Sequence, residues 1–582
     1  MKFVPNKVAR SGLWCLCVLC LSAVHGFTLD REAFSIQRYD LEVRVEPEQH
    51  RLAARGKITL RNDTAAPQKI AVLQVSSSLD WRAIRAADKP VQFVTQPLTS
   101  DVDHTGRLSE AIVTLPEAVP PHGTVDLDIG YEGVILLDAT RLTRIGAPED
   151  SAKSTDWDQI DSSFTGVRGI GHVAWYPIAT DVANLSEAES LFATLERWKA
   201  REAGATARLK INLTEENLES GAILVVDEPT CFRWTQLMSR RTFSQADCTF
   251  REPGEIVPSF AIAQFGAVDR KSITVLNLPS HAAAGEIYAD AAEKIAPWIA
   301  DWFGAPREKS LLVDVPDPAA APFESGSFLM TPLASADPKL VGLMAAHQLT
   351  HAAFLSPRAW INEGLAHFAQ ALYLEQDKGR ATALDYLAAH RSGLRAMETG
   401  DEAARSQAES EQSLVNSTSE ELIRSKALSV WWMLRDMVGD AALKKAIAAY
   451  KPEEDKNPSY MPGLISAQTQ RDLGWFFDDW VLHDHGLPNF KVESAFARSA
   501  SPTLFVLTIT VENTGTAGAE VPVIIRMAKG ESVKRVEVRA KGKATVRVET
   551  PAAPLELVVN DGSVPESETK DNVFKVAAPG GS

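Results

Sequence analysis

From Tyr39 onward apolar and polar residues alternate, with Tyr39, Leu41, Val43 and Val45 on one side and Asp40, Glu42, Arg44 and Glu46 on the other. A repeat of two predicts half-buried strands, and Gly56-Lys57-Ile58-Thr59-Leu60 adds a second such run. Strand-like runs and turns continue past Ile211 and Val225 to about Phe265. Between about 284 and 487 the repeat lengthens to three and four, as in Ile287, Ala291, Ile295, Trp298 and Trp302, and again around Leu428, Trp431, Trp432, Leu434 and Arg435. That period predicts helices with one apolar face. After Gly486-Leu487-Pro488 the strand pattern returns at 504–512, 521–527, 533–538 and 544–548, which suits a β-sandwich of roughly 90 residues. The expected fold class is therefore multidomain α+β: a β-rich domain over 27–268, a mostly helical one over 269–487 and a β-sandwich over 488–582. The acid-rich stretch from about Glu398 to Glu420 has no apolar period and is expected to be a long surface loop beside a cleft.

Composition changes the picture in four ways. At 582 residues and 45% hydrophobic content, the chain has core enough for about three domains. Lys2, Lys7 and Arg10 precede an uncharged run from Ser11 to Val24, with small residues around Ala23 and Gly26, the layout of a secretory signal peptide over 1–26. An uncleaved membrane anchor is the alternative, and either way the body of the protein is expected outside the cytoplasm, periplasmic or extracellular. No later stretch is long and apolar enough to span a bilayer. Three cysteines fall in the leader, leaving Cys231 and Cys248, which are expected to form a disulfide across a hairpin. A net charge of −16 from dispersed acids argues against nucleic acid as a partner.

The segment richest in chemistry runs from Leu340 to Leu372. His347 and His351 stand four apart in an apolar helical period, so both imidazoles share one helix face, the arrangement that binds a single zinc ion. The usual third ligand is a carboxylate from a following helix, and Glu363 in Trp360-Ile361-Asn362-Glu363-Gly364-Leu365-Ala366 suits that role. With these residues the chain resembles the gluzincin zinc aminopeptidases, peptidase family M1, in which His-x-x-x-His is followed by Trp-Leu-Asn-Glu-Gly-Phe-Ala. Gly304 with Pro306, the stretch Lys426 to Gly439, and Trp480 with Gly486 and Pro488 also fall where members carry similar residues. The resemblance covers nearly the whole chain after the leader. It implies an N-terminal β saddle, a thermolysin-like helical catalytic domain, a C-terminal β-sandwich, a Zn2+ cofactor held by His347, His351 and Glu363, and a peptide-binding cleft.

Four departures from that family qualify the expectation. Where members have His-Glu-x-x-His, this chain has Gln348, and a carboxamide cannot act as general base at neutral pH, a role worth about 10²- to 10⁴-fold in rate. The exopeptidase motif Gly-x-Met-Glu-Asn finds its best match in Gly326-Ser327-Phe328-Leu329-Met330, without the amine-binding acid; Glu324 lies near by. The position of the family's transition-state tyrosine falls on Arg424, whose guanidinium is able to hydrogen-bond an oxyanion or else is simply a surface residue. Glu363 follows His351 by only 12 residues, fewer than members commonly have, which requires a short connector with Pro357 ending the first helix. His367, one turn beyond Glu363, is either a neighbour of the metal ligands or an idle, partly exposed residue.

Two readings follow. In the first, favoured because base, amine anchor and tyrosine are all changed, the protein is a catalytically impaired relative that binds a peptide or protein ligand in the old cleft. In the second it is an active zinc metallopeptidase in which another group replaces Gln348 as base. A serine or cysteine hydrolase is disfavoured, since no Gly-x-Ser-x-Gly elbow occurs and no cysteine outside the leader and the expected disulfide remains.

Overall fold

The computed structural model describes residues 29–577 apart from 188–189, 216–222, 227–231, 239–240, 251–252, 255, 335–336, 338, 400–412, 416, 418, 420–421 and 502. The leader, Cys231 with the expected Cys231–Cys248 bridge, and most of the acid-rich stretch lie outside the described residues. Among those described, no helix is long and apolar enough to cross a membrane.

The alternation that begins at Tyr39 forms the strand Phe34–Glu46, whose Tyr39, Leu41, Val43 and Val45 are all buried. It pairs antiparallel with Arg51–Asn62 and parallel with Thr206–Glu215, in the middle of an eight-stranded sheet. A three-stranded sheet of Gln68–Ser76, Arg107–Val119 and Gln92–Thr99 shares its apolar core. These layers make the β-rich first region.

A further sheet, of five strands, begins at Gly266. In spatial order it runs Gly266–Asp269, Ile273–Asn277, Ser310–Asp314, Phe328–Thr331 and Phe323–Ser325; the three central strands are parallel and both edges antiparallel. The long helix Ala282–Phe303 connects two of the parallel strands. Its buried face is Tyr288, Ala289, Ala292, Ile295, Ile299, Trp302 and Phe303, whereas Ile287 is 43% exposed, so the face is turned from the stripe expected on sequence spacing. Packed beyond it are the helices Val341–Ala353, Ala359–Lys378, Arg380–Thr399 and Ala427–Val438.

The last region is two packed sheets, one of Phe490–Ser501, Leu504–Asn513 and Lys543–Thr550, the other of Glu531–Val538, Ala519–Met527, Pro554–Val559 and Val573–Lys575. Inward residues such as Leu507, Ile509, Val521, Val523 and Val536 belong to the same apolar cluster as Trp480, Val481 and Leu487, so the helices and the sandwich share one core.

Candidate metal centre

The helix carrying both histidines stops at Ala353, with Phe354 in an extended conformation, before Pro357 is reached; Pro357 lies exposed in the connector rather than ending the helix itself. The five-residue connector is held by its own contacts. Ser356 Oγ lies 2.8 Å from Tyr450 Oη, and Arg358 Nε donates to the buried Asp455 at 2.7 Å. The next helix starts at Ala359, which brings Glu363 round to the histidines despite the short spacing.

On this second helix Trp360 is fully buried and stacks on Trp431, centroids 5.3 Å apart and planes 16° from parallel. Gly364 makes the close approach possible, since a Cβ there would sit 2.8 Å from both Ala427 Cβ and Trp431 Nε1. Packing against Ala427–Val438 thus fixes the rotation of the helix that presents Glu363.

His347, His351 and Glu363 come together, with one donor atom of each within 4.8 Å of the others. The two Nε2 atoms are 3.2 Å apart, and Glu363 Oε1 is 3.6 Å from His351 Nε2. Two nitrogens bound tetrahedrally to one zinc at ordinary bond lengths are separated by about 3.3 Å, so the spacing suits the ion. Desolvation, then the neighbouring His351 and His367, hold the His347 imidazole well below its ordinary pKa, in the neutral state a metal ligand needs. His351 Nδ1 lies 3.1 Å from the Asn362 amide, and Asn362 Oδ1 is buried without a partner. Turned so that Oδ1 faces Nδ1–H, that amide fixes the proton on Nδ1 and leaves Nε2 free for the metal. The donor set therefore fits zinc.

Gln348 is 3% exposed and bonded at both ends of its amide. Buried Tyr288 donates to Oε1 at 2.5 Å, and Nε2 donates to Glu324 Oε1 at 3.3 Å. Glu324 lies on the edge strand Phe323–Ser325, paired with Leu329. The β-rich region braces this strand: Trp157 Nε1 donates to Ala321 O at 3.0 Å, Ser325 Oγ to Val257 O at 3.3 Å, and His172 meets Phe323 edge-on. Desolvation raises the Glu324 carboxyl pKa, with the charge of Glu363 adding and those of His351 and Arg424 opposing. The exopeptidase motif aligns with Gly326–Met330, and the nearby acid Glu324 is the one that reaches Gln348.

Arg424 is exposed on the π turn Leu422–Lys426, near enough for its charge to lower the pKa values of His347, His367 and Glu324. His367 is not idle. Its ring stands 5.0 Å from that of His347 and 5.3 Å from that of His390, and Nδ1 bonds Tyr386 Oη at 3.0 Å. Desolvation and the neighbouring cationic groups lower its pKa to about 3, so it is a neutral wall beside the ligands.

Neither a family model nor a curated protein sequence matches this chain. Solved structures do. A crystal structure of a glutamate-to-alanine mutant of the M1 zinc metallopeptidase from Deinococcus radiodurans aligns over 79% of this chain and 97% of its own, at 15% identity and a TM-score of 0.51. The fold is that of an M1 zinc metallopeptidase. The same mutant bound to a Tyr-Ser-Ala substrate aligns over 78% of this chain and 95% of its own, at 16% identity and a TM-score of 0.49. At 15% identity the likeness concerns the M1 fold, and the chemistry of this chain has to be read from its own residues.

Proposed function

We propose that this is an exported M1-metallopeptidase-like protein that holds zinc through His347, His351 and Glu363 and binds a peptide or protein ligand in its cleft with little or no hydrolysis. The observation that carries the reading is the fixed amide of Gln348, whose two polar atoms are engaged by Tyr288 and Glu324. Bound zinc would polarise a peptide carbonyl as a Lewis acid. Gln348 would position a ligand or water by hydrogen bonding but has no basic lone pair to accept its proton. Glu324 would meet the free amine of a peptide from the edge strand, and Arg424 would face its carbonyl oxygen.

A second reading rests on Glu324 as well. A carboxyl with a raised pKa, hydrogen-bonded to the residue at the base position, is the group in the site able to take a proton in place of Gln348. The two readings separate in one experiment: zinc content by elemental analysis, with hydrolysis of aminoacyl anilides by wild type, Gln348→Glu, Glu324→Gln and His351→Ala. A zinc that the wild type retains through desalting and His351→Ala does not, with background hydrolysis that rises in Gln348→Glu, supports the impaired binder. Wild-type hydrolysis abolished by Glu324→Gln supports the active enzyme, and no zinc in the wild type sinks the metal assignment in both.

A further inference from the structure

A second group of metal-ligating side chains, sharing no residue with the first, stands where the helical region meets the sandwich. It is made by Asp478, His483 and His485, on and just after the π turn Asp478–Leu482, with one donor atom of each within 4.8 Å of the others. We propose that these three residues form a second, independent transition-metal site, a bis-imidazole and carboxylate set for a divalent ion such as zinc with a fourth position open to water.

The backbone is already folded for it. His483 N–H donates to Asp478 O at 3.1 Å and His485 N–H to Asp479 O at 3.3 Å, so the chain turns back and lays His-Asp-His over the two acids. The two imidazole rings are nearly parallel, 8° apart with centroids at 5.8 Å. Each Nδ1 faces a carboxylate oxygen, His483 that of Asp478 at 2.8 Å and His485 that of Asp479 at 2.9 Å. For His485 the Asp479 carboxylate holds the proton on Nδ1 and leaves the Nε2 lone pair for a metal, the pairing that ligating histidines commonly show, whereas Asp478, itself a ligand in this set, must swing from His483 Nδ1 to the ion. Asp479 is itself fixed, since its other oxygen accepts the Gly518 N–H at 2.7 Å. Donor atoms about 2.0 to 2.1 Å from one ion lie at most about 4.2 Å apart, so the group must close slightly. Side chains that are 52%, 64% and 43% exposed at Asp478, His483 and His485 have the rotamer freedom to do so.

Imidazole and carboxylate together favour zinc, copper or nickel over calcium and magnesium, which prefer oxygen alone. The site would also brace the junction. Trp480 Nε1 donates to Gly518 O at 2.7 Å beside it, and Asp484, between the two histidines, pairs with Lys426 at the start of the helix Ala427–Val438.

The test is zinc titration by calorimetry of the full chain in a His351→Ala background, where the cleft site is disabled, so that failure here is distinct from failure of the cleft assignment. One zinc at micromolar affinity is expected, together with a zinc-dependent rise in Tm. Both should fall at least tenfold, or vanish, in His483→Ala and in Asp478→Asn, two exposed positions whose replacement leaves the fold intact by circular dichroism. The inference is overturned if the His351→Ala chain takes up no zinc, or if either added replacement leaves its uptake unchanged.

Discussion

Gln348 sits between two groups that each have a preferred protonation state. Replacing it with glutamate would set a carboxyl about 3.3 Å from that of Glu324, taking the present contact as the guide. Two carboxyls that close hold one proton between them, which pushes one pKa up. The pH–rate profile of Gln348→Glu is therefore expected to have its acidic limb shifted to higher pH, and adding Glu324→Gln should move it back down. In the β-rich region, desolvation raises the Glu202 carboxyl to about 8, against hydrogen bonding from Ile36 N–H. Because the folded state keeps this proton longer than the unfolded chain does, the stability it contributes is full below the ordinary carboxyl pKa and is lost as pH rises toward 8. Thermal melts from pH 5 to 8 should show Glu202→Gln gaining on wild type as pH rises; parallel curves would refute the assignment.

The helix Ala359–Lys378 shows what an element adds. Its Trp360 and Gly364 seat it against Trp431 and Ala427, and that contact aims Glu363 at the histidines. Gly364→Ala would put a methyl group into occupied space, an overpacking that typically costs about 1–3 kcal/mol. A Tm several degrees lower and weaker zinc retention against a chelator are expected together, since the shift that relieves the clash also moves Glu363. His347 and His351, the helices and most strands in the sandwich were legible from local spacing, because periodicity reports which residues face a core. The burial of Tyr288 rather than Ile287 was not, since the rotation of a helix depends on what it packs against. The bond from Gln348 to Glu324 was not legible for a related reason: a strand pairing, not a motif frame, brings that nearby acid to Gln348.

At the scale of the whole molecule the helices and the sandwich share an apolar core through Trp480, Val481, Leu487, Phe490 and Leu507. Ending the chain at Leu487 would expose that surface, and the shortened protein should aggregate or lose its cooperative melt, as measured by light scattering and calorimetry. Metal acts at the same scale. An ion bound only by the folded state stabilises it by about 2.7 kcal/mol at a free concentration a hundred times its Kd. Chelation is therefore expected to lower Tm in wild type, and to lower it less in His351→Ala.

The residue types and their local spacing determined by themselves that two imidazoles would share a helix face, that Gln348 would stand between them without a basic group, and that β-rich, helical and β-sandwich segments would follow one another. Those properties depend on covalent order and on the period of each element, both written in the chain. Tertiary structure alone decided that Glu363 reaches the histidines across a connector of five residues, that Glu324 bonds Gln348, and that His367 stands beside His347. Each is a distance between segments far apart in the helical register or the chain, and such distances are set by how faces pack rather than by the order of residues along either segment.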